Sequence, residues 1–165
     1  MLGKCLELDP CNLIYRKTLR AMSPTAPRPL LIRWVGALSA VAIKSKMWFA
    51  FSSGRWRKVL NLGEEVLARQ PADVTTHLKM ATAAEKLAQP DLAQWFLEEG
   101  HSQVPGDADL MRALARFHES RHDWKHSIAF WEKVRKALPD DYEAGRKIND
   151  LSAEDLLANG HYAAE

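Results

Sequence analysis

Only two cysteines occur in the 165 residues, Cys5 and Cys11, and both fall within the first dozen positions. A pair so close together cannot staple the rest of the chain, which argues against a disulfide-built secreted scaffold and for a reducing cytoplasmic setting. Long apolar runs are also missing. The most apolar stretch, Leu30 to Phe51, is interrupted by Arg33, Lys44 and Lys46. Its longest charge-free segment, Trp34 to Ile43, falls well short of the roughly 20 residues needed to span a bilayer. The segment from Met1 to Met22 mixes charges throughout and lacks the apolar centre of a secretory signal. Catalytic signatures are absent too: no glycine-rich phosphate loop, no G-x-S-x-G elbow, no H-E-x-x-H and no paired C-x-x-C knuckles. The chain reads as non-catalytic, with no cofactor implied.

What is present is the composition of a folded domain, 47% hydrophobic and 27% charged, enough for an apolar core. The formal charge is only +2, but it is unevenly placed. Residues 1–60 hold 11 Lys/Arg against two acids, Glu7 and Asp9, and the remainder carries an acidic excess. Such polarity points either to ordinary solvated faces or to contact between the basic half and nucleic acid or another anionic surface.

Internal periodicity organises the sequence. Pro71, Pro105 and Pro139 recur at one constant interval, and Asp73, Asp107 and Asp141 follow them in step. Glu64, Glu98 and Glu132 keep the same register, as do the apolar Leu62, Phe96 and Phe130. Proline lacks an amide donor and cannot continue a helix, so each ends a helical hairpin. The following Asp accepts hydrogen bonds from free amides at the start of the next helix and suits its positive end. Turns inside the hairpins fall at Ser52-Ser53-Gly54, Gln89-Pro90-Asp91 and Arg121-His122-Asp123. The pattern predicts helices near 12–22, 30–53, 56–70, 74–88, 91–104, 108–121, 124–138 and 141–151. Ser152, followed by Glu154 and Asp155, predicts a separate short helix over 152–158. Ser23 to Pro29 holds three prolines and predicts an extended linker.

With this interval the chain resembles the tetratricopeptide family, whose unit is about 34 residues long, over about three units. The resemblance implies an all-α, right-handed α-solenoid of antiparallel helical hairpins. It implies a partial repeat and linker over 1–29 and a repeat domain over 30–158. The units lie near 40–73, 74–107 and 108–141, followed by capping helices to 158 and a tail. Small residues fall where the family crosses helices closely (Ala81, Ala115, Ala93, Ser127), and Leu97 and Trp131 take the large position. Gly63 departs from that large position in the first unit.

Carried over by position, the groove formed by the first helix of each unit would be lined by Lys44, Trp48, Phe51, Leu78, Thr82, Arg112, Arg116 and Arg146. It would take a peptide or partner helix. Trp48 and Phe51 would be its aromatic anchors, unless Trp48 packs against the N-terminal helix. Arg112, Arg116 and Arg146 suit a carboxylate or phosphate, or else bridge to acids such as Asp109 and Glu119. Family members that hold acidic C-terminal peptides join such cations with asparagines. These are missing here, so that specific activity is not inherited. The N-terminal end of the stack looks apolar and open to self-association. His118, His122 and His126 recur at helical spacing, as in a metal set, yet the middle one falls in a turn. We read them as one core residue and two exposed ones, with no metal.

Overall fold

In the computed structural model, residues 12–21 and 30–160 are described, with side chains at 12–18, 20 and 41–158. Cys5, Cys11 and the three-proline linker lie outside the described residues. All regular structure among the described residues is helical: α1 (Leu13–Ala21), α2 (Leu30–Ser52), α3 (Trp56–Leu67), α4 (Val74–Lys86), α5 (Pro90–Gln103), α6 (Ala108–Ser120), α7 (Trp124–Ala137) and α8 (Tyr142–Gly160). No helix among them is long and apolar enough to cross a membrane. The chain divides into two compact units, 1–103 and 104–165.

The aspartate column starts helices as its chemistry dictates. Asp73 accepts from the Thr76 amide at 3.1 Å, Asp107 from Leu110 at 2.9 Å and Asp141 from Ala144 at 3.0 Å. Each thereby satisfies an amide that has no partner inside its helix. Asn12 does the same for α1, accepting from the Tyr15 amide. Pro71, Pro105 and Pro139 all stand beyond the ends of α3, α5 and α7.

The three hairpin turns are closed by residues in left-handed conformation: Gly54 (φ +69°), Ala88 (φ +55°) and His122 (φ +59°). Their spacing equals that of the prolines, so they form a further column of the repeat. In each turn the next amide reaches back to the carbonyl of the preceding helix, Arg55 to Ala50, Gln89 to Ala84 and Asp123 to His118. The left-handed residue itself makes a shorter reach, to Phe51, Glu85 and Glu119 respectively. This is the Schellman arrangement, which satisfies the last carbonyls of one helix while reversing the chain.

In the first unit α2, α3, α4 and α5 pack successively, each against the next. Small residues bring the helices together: Ala81, Ala83, Ala84 and Ala93 are buried. Gly63 breaks the large-residue column, and the space is taken from the facing helix. A Cβ at Gly63 would collide with the Met80 sulfur, and Met80 is itself fully buried. In the second unit α7 packs against both α6 and α8. The core there is Met111, Ala115, Trp131, Val134, Ala144, Ile148 and Leu151. Ser127, buried, donates its hydroxyl to the Ala115 carbonyl at 2.9 Å, so the small polar residue carries no unmet donor.

The C-terminal helix corrects one expectation. Residues 142–160 form a single helix rather than one ending at 151 and another starting at Ser152. The Ser152 hydroxyl bonds back to the Ile148 carbonyl at 2.6 Å instead of capping a new helix. Leu151, buried, keeps the apolar stripe unbroken through the expected boundary.

Candidate functional site

The predicted lining residues lie on α2 and α4 in the first unit and on α6 and α8 in the second. In the first unit Trp48 is 61% exposed, so burial against the N-terminal helix does not occur. Phe51 is half-buried and meets Trp56 edge to face at 5.4 Å. Leu78 and Thr82, half-buried, hold on α4 the register positions that Lys44 and Trp48 hold on α2. Val41 and Phe49 add further exposed apolar surface on α2, and the Arg55 guanidinium lies 5.4 Å from the Phe49 ring.

Lys44 is not a free groove cation. It donates to Asp73 at 2.7 Å, tying the middle of α2 to the cap of α4. Partial burial pushes the Asp73 carboxyl upward, but hydrogen bonds from Lys44 and Thr76 outweigh it and hold the group below the usual carboxylate range. The second unit repeats the device two periods on: Arg112 donates to Asp141, the cap of α8, and also to Asp109 at 3.0 Å. The bond to Arg112 holds Asp141 below its ordinary value, and the same bond raises Arg112.

The remaining members of the basic set divide. Arg116 bonds Glu143 at 2.7 Å but stays 58% exposed, a pair that is largely screened by water. Glu119 pairs with Lys147 rather than with an arginine. Arg146 makes no ion pair among the described residues. It lines, with Arg135, Asp140, Tyr142 and Asn149, an open depression of about 470 Å³ at the α7–α8 junction. Tyr142 stands 86% exposed at this site.

Sequence reasoning missed two features. The first is the docking of α1 onto the second helices of the first unit. Arg16, fully buried, bonds Glu64 at 2.6 Å, and Arg20 bonds the other Glu64 oxygen at 3.2 Å and approaches Glu99 at 3.8 Å. The Arg20 guanidinium lies 4.6 Å from the Trp95 ring centre, a cation–π contact. The recurring register of Glu64 was visible as a column, but its partner Arg16 precedes the first unit, where no periodicity reaches. The second is His77, buried, whose ring nitrogens face the Phe96 carbonyl at 3.1 Å and the Pro71 carbonyl at 2.9 Å. A neutral imidazole carries one N–H, so the ring donates to one of these carbonyls and lies against the other, between α5 and the turn that precedes α4. Burial lowers its pKa, opposed by the Pro71 carbonyl.

Helical hairpins with this period, capping and packing define a helical-repeat protein of the tetratricopeptide fold, and solved structures agree. The Sgt2 TPR domain from Aspergillus fumigatus matches with a TM-score of 0.63 at 19% identity, over 81% of this chain and 84% of that one. The first TPR domain of human RPAP3 gives 0.61 at 15% identity, over 74% and 95%. The first TPR of Spaghetti (RPAP3), bound to the HSP90 peptide SRMEEVD, gives 0.60 at 14% identity, over 70% and 91%. No protein-family model and no curated protein matches the chain.

Proposed function

We propose that this chain is a non-catalytic protein-interaction module, taking an extended peptide or a partner helix on the faces of its first helices. The observation that carries the reading is Trp48, a large ring left 61% exposed on α2, in line with half-buried Leu78 and Thr82. Stacked hairpins shelter each other's apolar sides and leave such faces open along the repeat. Exposed aromatics of this kind act as binding anchors in protein interfaces generally. Lys44, Phe51 and Arg112 frame the faces, with Lys44 and Arg112 committed to holding neighbouring helices in place. Arg146, with Arg116, whose guanidinium stays largely open to water beside half-buried Glu143, supplies the charge that suits an acidic peptide. A solved domain of the same fold holds a peptide with two glutamates and an aspartate, which supports this polarity.

Affinity purification of the parent chain, compared with Trp48→Ala and with Arg116→Ala/Arg146→Ala, tests the reading. Loss of a hot-spot tryptophan costs about 2 kcal/mol or more in affinity, so the principal partner disappears from the Trp48→Ala eluate while circular dichroism stays helical. The double arginine variant loses acidic partners selectively. Identical partner sets for all three proteins overturn the proposal. Val41, Trp48 and Phe49 together also favour self-association through α2. Light scattering of the same proteins reads that out, as a dimer that Trp48→Ala returns to monomer.

A further inference from the structure

The α6–α7 turn gathers two imidazoles around one carboxylate. His118 Nδ1 lies 3.0 Å from Asp123 Oδ2, and His126 Nδ1 lies 2.9 and 2.8 Å from the two Asp123 oxygens. These three ligand atoms all fall within 4.8 Å of one another. The rings stack at 5.2 Å between centres. An ionised carboxylate only accepts, so each imidazole turns its Nδ1–H toward Asp123.

The backbone holds this arrangement in place. His118 sits in the last turn of α6, and its carbonyl accepts from the Asp123 amide at 3.0 Å. Asp123 caps α7, and His126 follows in the first turn of that helix. Left-handed His122 closes the reversal, so the spacing of the three side chains is set by the hairpin itself. The His118 side chain, 12% exposed, is fixed between Phe117, edge-on at 5.8 Å, and Phe130, stacked at 5.7 Å. His126 is 68% exposed and leaves one side of the cluster open to solvent.

We propose that His118, Asp123 and His126 bind a divalent transition-metal cation, with zinc the closest chemical match. Two imidazole nitrogens and one carboxylate oxygen are the donor set of borderline ions and not of magnesium or calcium. Three protein ligands leave a fourth tetrahedral position for water or for a donor from a bound partner. An imidazole that binds the metal through Nδ1 carries its proton on Nε2. Zinc–nitrogen bonds of about 2.1 Å place tetrahedral ligand atoms about 3.4 Å apart, so the exposed His126 ring supplies most of the adjustment. The sequence alone set His118, His122 and His126 at helical spacing, which reads as one core residue and two exposed ones rather than as a metal set. The turn replaces the middle histidine with Asp123 and sends the His122 ring to Trp124, edge-on at 5.0 Å. This site does not depend on the interaction reading above.

Zinc chloride titrated calorimetrically into the chelator-treated chain gives one bound metal per chain and a raised thermal midpoint, because the ion ties α6 to α7 and binds only the folded hairpin. Cobalt at the same site gives the visible bands of a tetrahedral complex. His126→Ala, an exposed truncation, weakens binding at least tenfold, and Asp123→Asn, which keeps the cap, weakens it as well. His122→Ala leaves binding unchanged. Absence of zinc uptake by the parent chain overturns the site, as does equal uptake by the parent and His126→Ala.

Discussion

One left-handed residue closes each hairpin turn, and its identity runs from Gly54 to Ala88 to His122 while φ stays between +55° and +69°. For glycine this conformation carries no Cβ penalty, whereas an L-residue loses roughly 1–2 kcal/mol there. Ala88 has neither glycine's freedom nor a polar side chain to offset the cost. Ala88→Gly is therefore expected to stabilise the fold by about 0.5–1 kcal/mol, after the greater backbone entropy of glycine in the unfolded chain is counted. A higher urea midpoint with an unchanged slope verifies this; a lower midpoint refutes it. The turns themselves were legible, because serine, proline and aspartate cluster at them. The column was not, because three unlike residues share only a dihedral angle. Gly63 teaches the same lesson in the core, where its departure from the repeat is offset by Met80 on the facing helix, a volume exchange no single column displays.

Helix α1 shows how an element outside the repeat becomes part of it. The sequence marked a helix near 12–22, and its bounds agree with Leu13–Ala21, but its place was unreadable because its partners lie in two different hairpins. Arg16 and Arg20 share Glu64, and Arg20 covers Trp95, so α1 clamps α3 and α5 through charge and stacked aromatic surface. Arg16→Ala removes the fully buried cation and leaves Glu64 with Arg20 as its remaining partner. The expected cost is about 2–3 kcal/mol, confined to the docking of this helix. Hydrogen exchange of the α1 amides and of α3 amides near Glu64 accelerates, while α7 amides keep their protection. Equal protection of α1 in both proteins would show that the clamp contributes little. The α8 boundary failed for a related reason: Ser152 looks like a cap in one dimension, but the buried stripe of Ala144, Ile148 and Leu151 carries the helix across it.

At the scale of the molecule, the uneven charge read from the sequence was real, but much of what it meant was hidden. Lys44 and Arg112 reach forward to Asp73 and Asp141, each the cap of the next first helix, so two cations of the predicted groove serve the stack. Spacing shows that column as Lys44, Leu78, Arg112 and Arg146, without showing which members are occupied. These pairs and His77 give the stability of the chain a definite dependence on acid. Asp73 and Asp141 are held below their ordinary values in the fold. Their contribution is complete above the unfolded carboxylate pKa of about 3.9 and is lost as pH falls below it, because the unfolded chain then binds protons first. His77 is also lowered, by burial, so the fold favours the neutral ring. Stability from that group is complete above about pH 6.5 and declines as pH falls through that value. Arg20 opposes and Glu99 favours a charge on that ring. Two descents separated in pH are expected in urea midpoints measured from about pH 8 to about pH 3. His77→Gln removes its share of the first descent. Asp73→Asn with Asp141→Asn flattens the second while lowering stability at neutral pH, where the two ion pairs are intact. A His77→Gln curve parallel to the parent between about pH 7 and about pH 5 would show that the buried ring is not what the fold protects from protonation.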